Sequence, residues 1–70
     1  MQLVNNLVSL IRLLHREQPT LAIIMDVGGV SRATAFRQLN TLRESFGMVI
    51  DFSDERYSIS DYGVINPRKL

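Results

Sequence analysis

The sequence predicts an α+β fold in which three helices are followed by a two-stranded β-hairpin, and three observations carry that prediction. Apolar residues recur at helical spacing in three blocks between Met1 and Phe46. Each block is closed by residues that stop a helix: Pro19, Gly28-Gly29 and Gly47. From Met48 onward the apolar period drops to two. A chain of 70 residues, 46% hydrophobic and without cysteine, has room for one such domain, held by helix and sheet packing alone. Residues 1–65 are expected to form it, with 66–70 as a C-terminal tail.

The first block, Met1 to Gln18, carries Leu3, Leu7, Leu10 and Leu14, with Val4, Val8 and Ile11 on the adjoining stripe. From Leu13 around to Val8 the apolar positions span an arc of roughly 220°, wider than the stripe of about 100° that one core-facing side needs. A second body packed on helix 1 is therefore expected. Homodimerisation through helix 1 is one form, with Leu3, Leu10 and Leu13 near one edge of the arc; the alternative is that the excess simply covers the hairpin or the C-terminal segment.

Thr20 stands where an N-cap belongs, ahead of Leu21-Ala22-Ile23-Ile24-Met25-Asp26-Val27, which Gly28-Gly29 ends after about two turns. So short a helix is stable only when packed. Ser31 then caps a third helix, since its hydroxyl can accept from a free N–H of the first turn. Ala35, Leu39, Leu42 and Phe46 mark the buried side of this helix. Gly47 supplies the left-handed backbone that helix ends commonly use. Ala33, Arg37, Asn40 and Glu44 fall on the opposite face, with Arg32, Phe36 and Arg43 along one flank.

In the last third, Met48, Ile50 and Phe52 alternate with Val49 and Asp51, and Tyr57 and Ile59 alternate with Ser58 and Ser60. Two strands joined through Ser53-Asp54-Glu55 are the expected result. Asp61 to Ile65 is expected to be a short extended piece or turn, and Arg68-Lys69-Leu70 a frayed end.

Net charge is only +1, but it is unevenly placed. Between Ser31 and Arg43 there are three arginines and no acid; between Glu44 and Gly63, five acids face Arg56 alone. Attraction for a polyanion is thereby confined to the third helix.

From Gly29-Val30-Ser31-Arg32-Ala33-Thr34-Ala35-Phe36-Arg37-Gln38-Leu39-Asn40-Thr41-Leu42-Arg43 through Gly47-Met48-Val49-Ile50-Asp51-Phe52 to Tyr57-Ser58-Ile59, the chain closely resembles a known family. It is the DeoR-type and biotin-operon-repressor-type branch of the winged helix-turn-helix DNA-binding proteins, and the resemblance covers about residues 3 to 62. In that family Gly-Val-Ser opens the recognition helix, a Thr and an Arg follow three and six residues after the Ser, two leucines face the core, and the wing begins after a Gly. Each is present here. The resemblance implies a winged helix-turn-helix that binds double-stranded DNA in a sequence-specific way and regulates transcription. Departures from the family pattern are Gly28 for a large aliphatic residue, Met25 for a small alanine, and Ala35 for Val or Ile. Met25, large and adaptable, is expected to fill the space left by the other two. The wing also departs, because Asp54 and Glu55 would face phosphates with like charge.

A recognition helix enters the major groove and touches base edges with its N-terminal residues. Arg32, Ala33 and Arg37 are placed for this: Arg37 to bridge guanine O6 and N7, Arg32 on base or phosphate, the Ala33 methyl against a thymine methyl. Ser31 and Thr34 can turn hydroxyls and helix N–H groups to phosphate, with capping as Ser31's structural duty. Phe36 either touches sugar and thymine methyls or seals the core edge. Asn40 is a further candidate for base or backbone, whereas Gln38 lies toward the buried side. Arg56, near the hairpin tip, reaches either a phosphate or the minor groove, or else pairs with Glu55 or Asp54. A dimer would set two half-sites about one DNA turn apart.

Other chemistry finds little support. His15 is the only histidine and has no cysteine beside it, so no metal site is expected. No catalytic serine arrangement and no phosphate-cradling glycine loop can be argued, so neither enzyme activity nor a cofactor is expected, and no small-molecule site is evident. The apolar runs fall far short of the roughly 20 residues that span a bilayer. The N-terminus does not read as a signal peptide, and a cysteine-free chain suits the cytoplasm. The competing reading is a winged-helix protein-interaction module without specific DNA binding, favoured by the modest charge, the acidic wing and the apolar first helix.

Overall fold

Helix α1 (Gln2–Glu17), helix α2 (Leu21–Gly28) and helix α3 (Arg32–Ser45) are followed by strands β1 (Val49–Ser53) and β2 (Arg56–Asp61), with a final 3-10 turn over Pro67–Lys69. The structure is a computed structural model that describes the backbone of residues 2–70 and the side chains of residues 7–70. Three helices and an antiparallel hairpin form an α+β layout consistent with a winged helix. No described helix is long and apolar enough to cross a membrane.

The helix boundaries follow from local chemistry. Thr20 caps α2, its Oγ1 accepting from the Ile23 N–H at 3.3 Å. At the other end the Gly29 N–H donates to the Asp26 carbonyl and the Val30 N–H to the Met25 carbonyl. These are the paired bonds of a Schellman ending, for which Gly29 takes φ +62°. Ser31 caps α3 by accepting from the Thr34 N–H at 3.2 Å. Gly47 follows that helix at φ +67°. Gln18 ends α1 with a positive φ of its own, and the following Pro19 is fully buried.

The core is one cluster drawn from every element: Leu10, Ile11 and Leu14 of α1, Ile24 of α2, Ala35, Leu39 and Leu42 of α3, then Met48, Ile50 and Tyr57. Leu10 is 5% exposed, so it belongs to this cluster and not to the edge of a dimer surface. Leu13 packs partly against the same core. Leu3 and Val4 lie outside the described side chains, which leaves Val8 as the one exposed large apolar residue described on α1. Met25 and Ala35 do share the core, but Gly28 is exposed and leaves no interior gap for Met25 to fill.

The hairpin is tighter than expected. Ser53 belongs to β1 and pairs with Arg56, so the turn is Asp54-Glu55 alone, with φ of +54° and +63°. Two positive φ values define the two-residue turn whose twist matches that of the flanking strands. Ile50 pairs with Ile59 and Phe52 with Tyr57, and a bulge lies between Val49 and Ile50. Ile50 and Tyr57 enter the core, but Phe52, on the same face, lies against the outer side of the Tyr57 ring with centroids 4.7 Å apart and is 58% exposed. Alternation places a side chain on a face; it does not say whether a helix lies beneath it.

Two further features were not anticipated. The α1–α2 connection lies beside β2, with the Tyr57 N–H donating to the Pro19 carbonyl at 2.9 Å and a bridge between Thr20 and Arg56. The segment after β2 also folds back. The Gly63 N–H donates to Asp61 Oδ1 at 2.8 Å, and the Val64 N–H to the Phe46 carbonyl at 3.0 Å. The end of the chain, expected to fray, is capped by Asn66 and packs Leu70 against the core.

Candidate nucleic-acid interface

Helix α3 separates its two faces cleanly. Ala35, Gln38, Leu39 and Leu42 are buried, whereas Ala33, Arg37, Asn40 and Glu44 are exposed on the opposite side. At 100° per residue these exposed four fall within one narrow stripe. Gln38, at 8% exposure, is removed from that stripe, as its position toward the core side implied.

Ser31 and Thr34 stand together at the start of the helix. The Ser31 hydroxyl accepts from the Thr34 N–H and donates to Thr34 Oγ1 at 3.1 Å, so both oxygens are engaged locally while the Thr34 hydroxyl proton stays available. An anion at this end would meet the helix dipole and the N–H groups that the first turn leaves without partners.

The flank of α3 toward the hairpin carries Arg32, Phe36 and Arg43. Arg43 Nη2 donates to the Ile50 carbonyl at 2.9 Å, tying the last turns of the helix to β1. Near the first turn the Arg32 guanidinium lies 5.7 Å from the centroid of the Phe36 ring, within cation–π range. Phe36 is 39% exposed, with the Arg32 guanidinium over its ring and the groove toward the hairpin beside it.

Between this flank and the hairpin runs an open groove of about 670 Å³. Its walls are Arg32 and Phe36 on α3, Phe52 and Tyr57 on the hairpin, and Thr20, Leu21 and Ala22 at the start of α2, with Glu55 at the turn. Sequence reasoning missed it, because a groove between elements exists only once they are docked. The one available signal was the placement of Phe36 beside Arg32 on a flank apart from the outward face.

Arg56 is set apart from the other candidates. Its Nη1 donates to the Gln18 carbonyl at 3.0 Å, so it braces the α1–α2 connection and does not pair with Glu55 or Asp54 through that group. The structure therefore brings Ser31, Arg32, Ala33, Thr34, Phe36, Arg37 and Asn40 onto one helix and leaves Arg56 across the hairpin. Arg12 and Arg16 are exposed on α1. His15 Nδ1 is hydrogen bonded to the Tyr62 hydroxyl at 2.6 Å, which fastens α1 to the segment after β2.

No protein-family model matches the chain, and no curated protein or solved structure matches it.

Proposed function

We propose that this protein is a sequence-specific double-stranded DNA-binding regulator of transcription, of the winged helix-turn-helix kind that its sequence resembles. The observation that carries the reading is the outward stripe of α3. Ala33, Arg37 and Asn40 are exposed on it, a capped helix N-terminus lies at one end, and no acid occurs from Ser31 to Arg43.

In this reading α3 lies in the major groove, about 12 Å wide, which admits a single helix. Arg37 bridges guanine O6 and N7, Ala33 meets a thymine methyl, and Asn40 lies one turn further along. Ser31 and Thr34 hold the backbone and fix the register of the helix without reading sequence. The hairpin contributes little charge attraction, since Asp51, Asp54 and Glu55 are acidic and Arg56 is engaged at Gln18.

Selection of bound duplexes from a random DNA pool at roughly physiological salt tests this, because non-specific phosphate attraction falls steeply as salt rises. An enriched motif is the expected result, and an inverted repeat within it would reveal a two-fold dimer. The absence of any enriched motif overturns the reading. It would favour the alternative, a protein-interaction module, whose support is the acidic hairpin bearing the exposed Phe52.

A further inference from the structure

The groove between α3 and the hairpin has walls whose chemistry selects an occupant. Phe36 and Phe52 line it, Tyr57 closes it at 6% exposure, and its volume of about 670 Å³ falls within the 300–1,000 Å³ usual for small-molecule sites. Two exposed rings on opposing elements line it, Phe36 with Arg32 over its ring and Phe52 against the Tyr57 ring with centroids 4.7 Å apart, and together they offer apolar surface to a planar body.

Charge then decides the sign. The Arg32 guanidinium is held in the groove wall by its position over Phe36 and keeps N–H donors free for a partner there. A second wall is the cap and first two residues of α2, Thr20, Leu21 and Ala22. The first-turn N–H groups of this helix carry the positive end of its dipole, although the Thr20–Arg56 bridge directs the Leu21 N–H to the Glu55 carbonyl. Against these stands one carboxylate, Glu55, in the hairpin turn and exposed to water. The positive features belong to two separate elements that converge on the groove, against a single carboxylate on the hairpin turn.

We propose that this groove binds a flat aromatic carboxylate, its ring between Phe36 and Phe52 and its carboxylate on Arg32. The site is independent of the DNA reading, because its walls are complete in the free protein. Where both hold, the two ligands share Arg32 and oppose each other.

The test uses 2-naphthoate as the probe, titrated into ¹⁵N-labelled protein with no DNA present. The uncharged 2-naphthamide and the cationic 2-naphthylmethylammonium serve as matched controls. Saturable shifts at the amides of Leu21, Ala22, Arg32, Phe36, Phe52 and Glu55 are expected, with naphthoate bound about five-fold more tightly than the amide, as for an exposed charge pair. Arg32→Gln should abolish that preference while retaining the amide's affinity. Phe52→Ser, at a side chain already largely in water, should weaken all three probes, and Glu55→Gln should strengthen naphthoate alone. Tighter binding of the cation, shifts centred elsewhere, or no saturation by several millimolar would each overturn the assignment. Unchanged thermal melting of the variants confirms that they are folded.

Discussion

The guanidinium of Arg56 and the main-chain carbonyl of Gln18 are joined across 3.0 Å, thirty-eight positions apart in the chain. Gln18 holds a positive φ of 51° at the end of α1, and its carbonyl is thereby presented to β2. The neighbouring bond from the Tyr57 N–H to the Pro19 carbonyl runs between the same two segments. A basic residue near the tip of a hairpin thus serves the fold before it serves any partner.

Replacing Arg56 with alanine should therefore lower stability by about 1 kcal/mol, the usual net worth of one such hydrogen bond. DNA affinity should stay within about two-fold, since no phosphate contact is removed. Urea unfolding and fluorescence anisotropy on one preparation check both. A reduced salt dependence of binding would show that Arg56 reaches phosphate after all.

Arg37→Ala should leave stability within about 0.5 kcal/mol, as for an exposed helical position. It should cost about 1–3 kcal/mol on the selected DNA site and relax the preference at a single base pair. Equal loss on every sequence would reassign Arg37 to the backbone.

Ser31 allows its two duties to be separated. Ser31→Ala should destabilise the fold by about 1 kcal/mol through loss of the cap, whereas Ser31→Asp keeps a cap and should be nearly neutral. A carboxylate at that position would repel phosphate, so Ser31→Asp should weaken DNA binding about ten-fold despite its stability. Thermal melts with parallel binding curves distinguish the two variants.

Of the four glycines, Gly63 is the least tolerant of a side chain. It sits at φ +59°, and a Cβ there would collide with the Phe46 carbonyl oxygen and lie 2.7 Å from the carbonyl carbon of Gly47. The left-handed backbone alone costs an ordinary residue about 1–2 kcal/mol, and the collision is with main chain, which yields little. Gly63→Ala should then remove at least 3 kcal/mol, a large share of what a small domain possesses. The urea midpoint measures it, with Gly29→Ala as the comparison, since a Cβ at Gly29 meets nothing within 4 Å.

What could be read from the sequence and what could not divide along the range of the interactions. Thr20 and Ser31 were legible as caps because a hydroxyl bonds an N–H three residues away, and Gly29 and Gly47 because a helix end needs a left-handed residue. The outward stripe of α3 was legible for the same reason: helical period alone sorts Ala33, Arg37 and Asn40 from Leu39 and Leu42. The turn at Asp54-Glu55 was not located to the residue, since neither position carries the glycine or asparagine that usually marks two positive φ values. Phe52, Gly63, Leu70 and the Arg56 bond depend on what lies across the fold, as does the groove. No local pattern encodes them.

The bridge between Thr20 and Arg56 also bears on how the chain reaches its native state. Three helices in series could each form from neighbours in sequence, and domains built of such local contacts fold fastest. Here the turn between the first two helices is completed only by a strand encoded near the far end, so a long loop must close before its bonds are gained. Ribosome-bound chains that stop short of Tyr57 lack this closure entirely. The domain is thus expected to acquire its structure in one concerted step whose rate responds to changes in the hairpin as much as to changes in the helices.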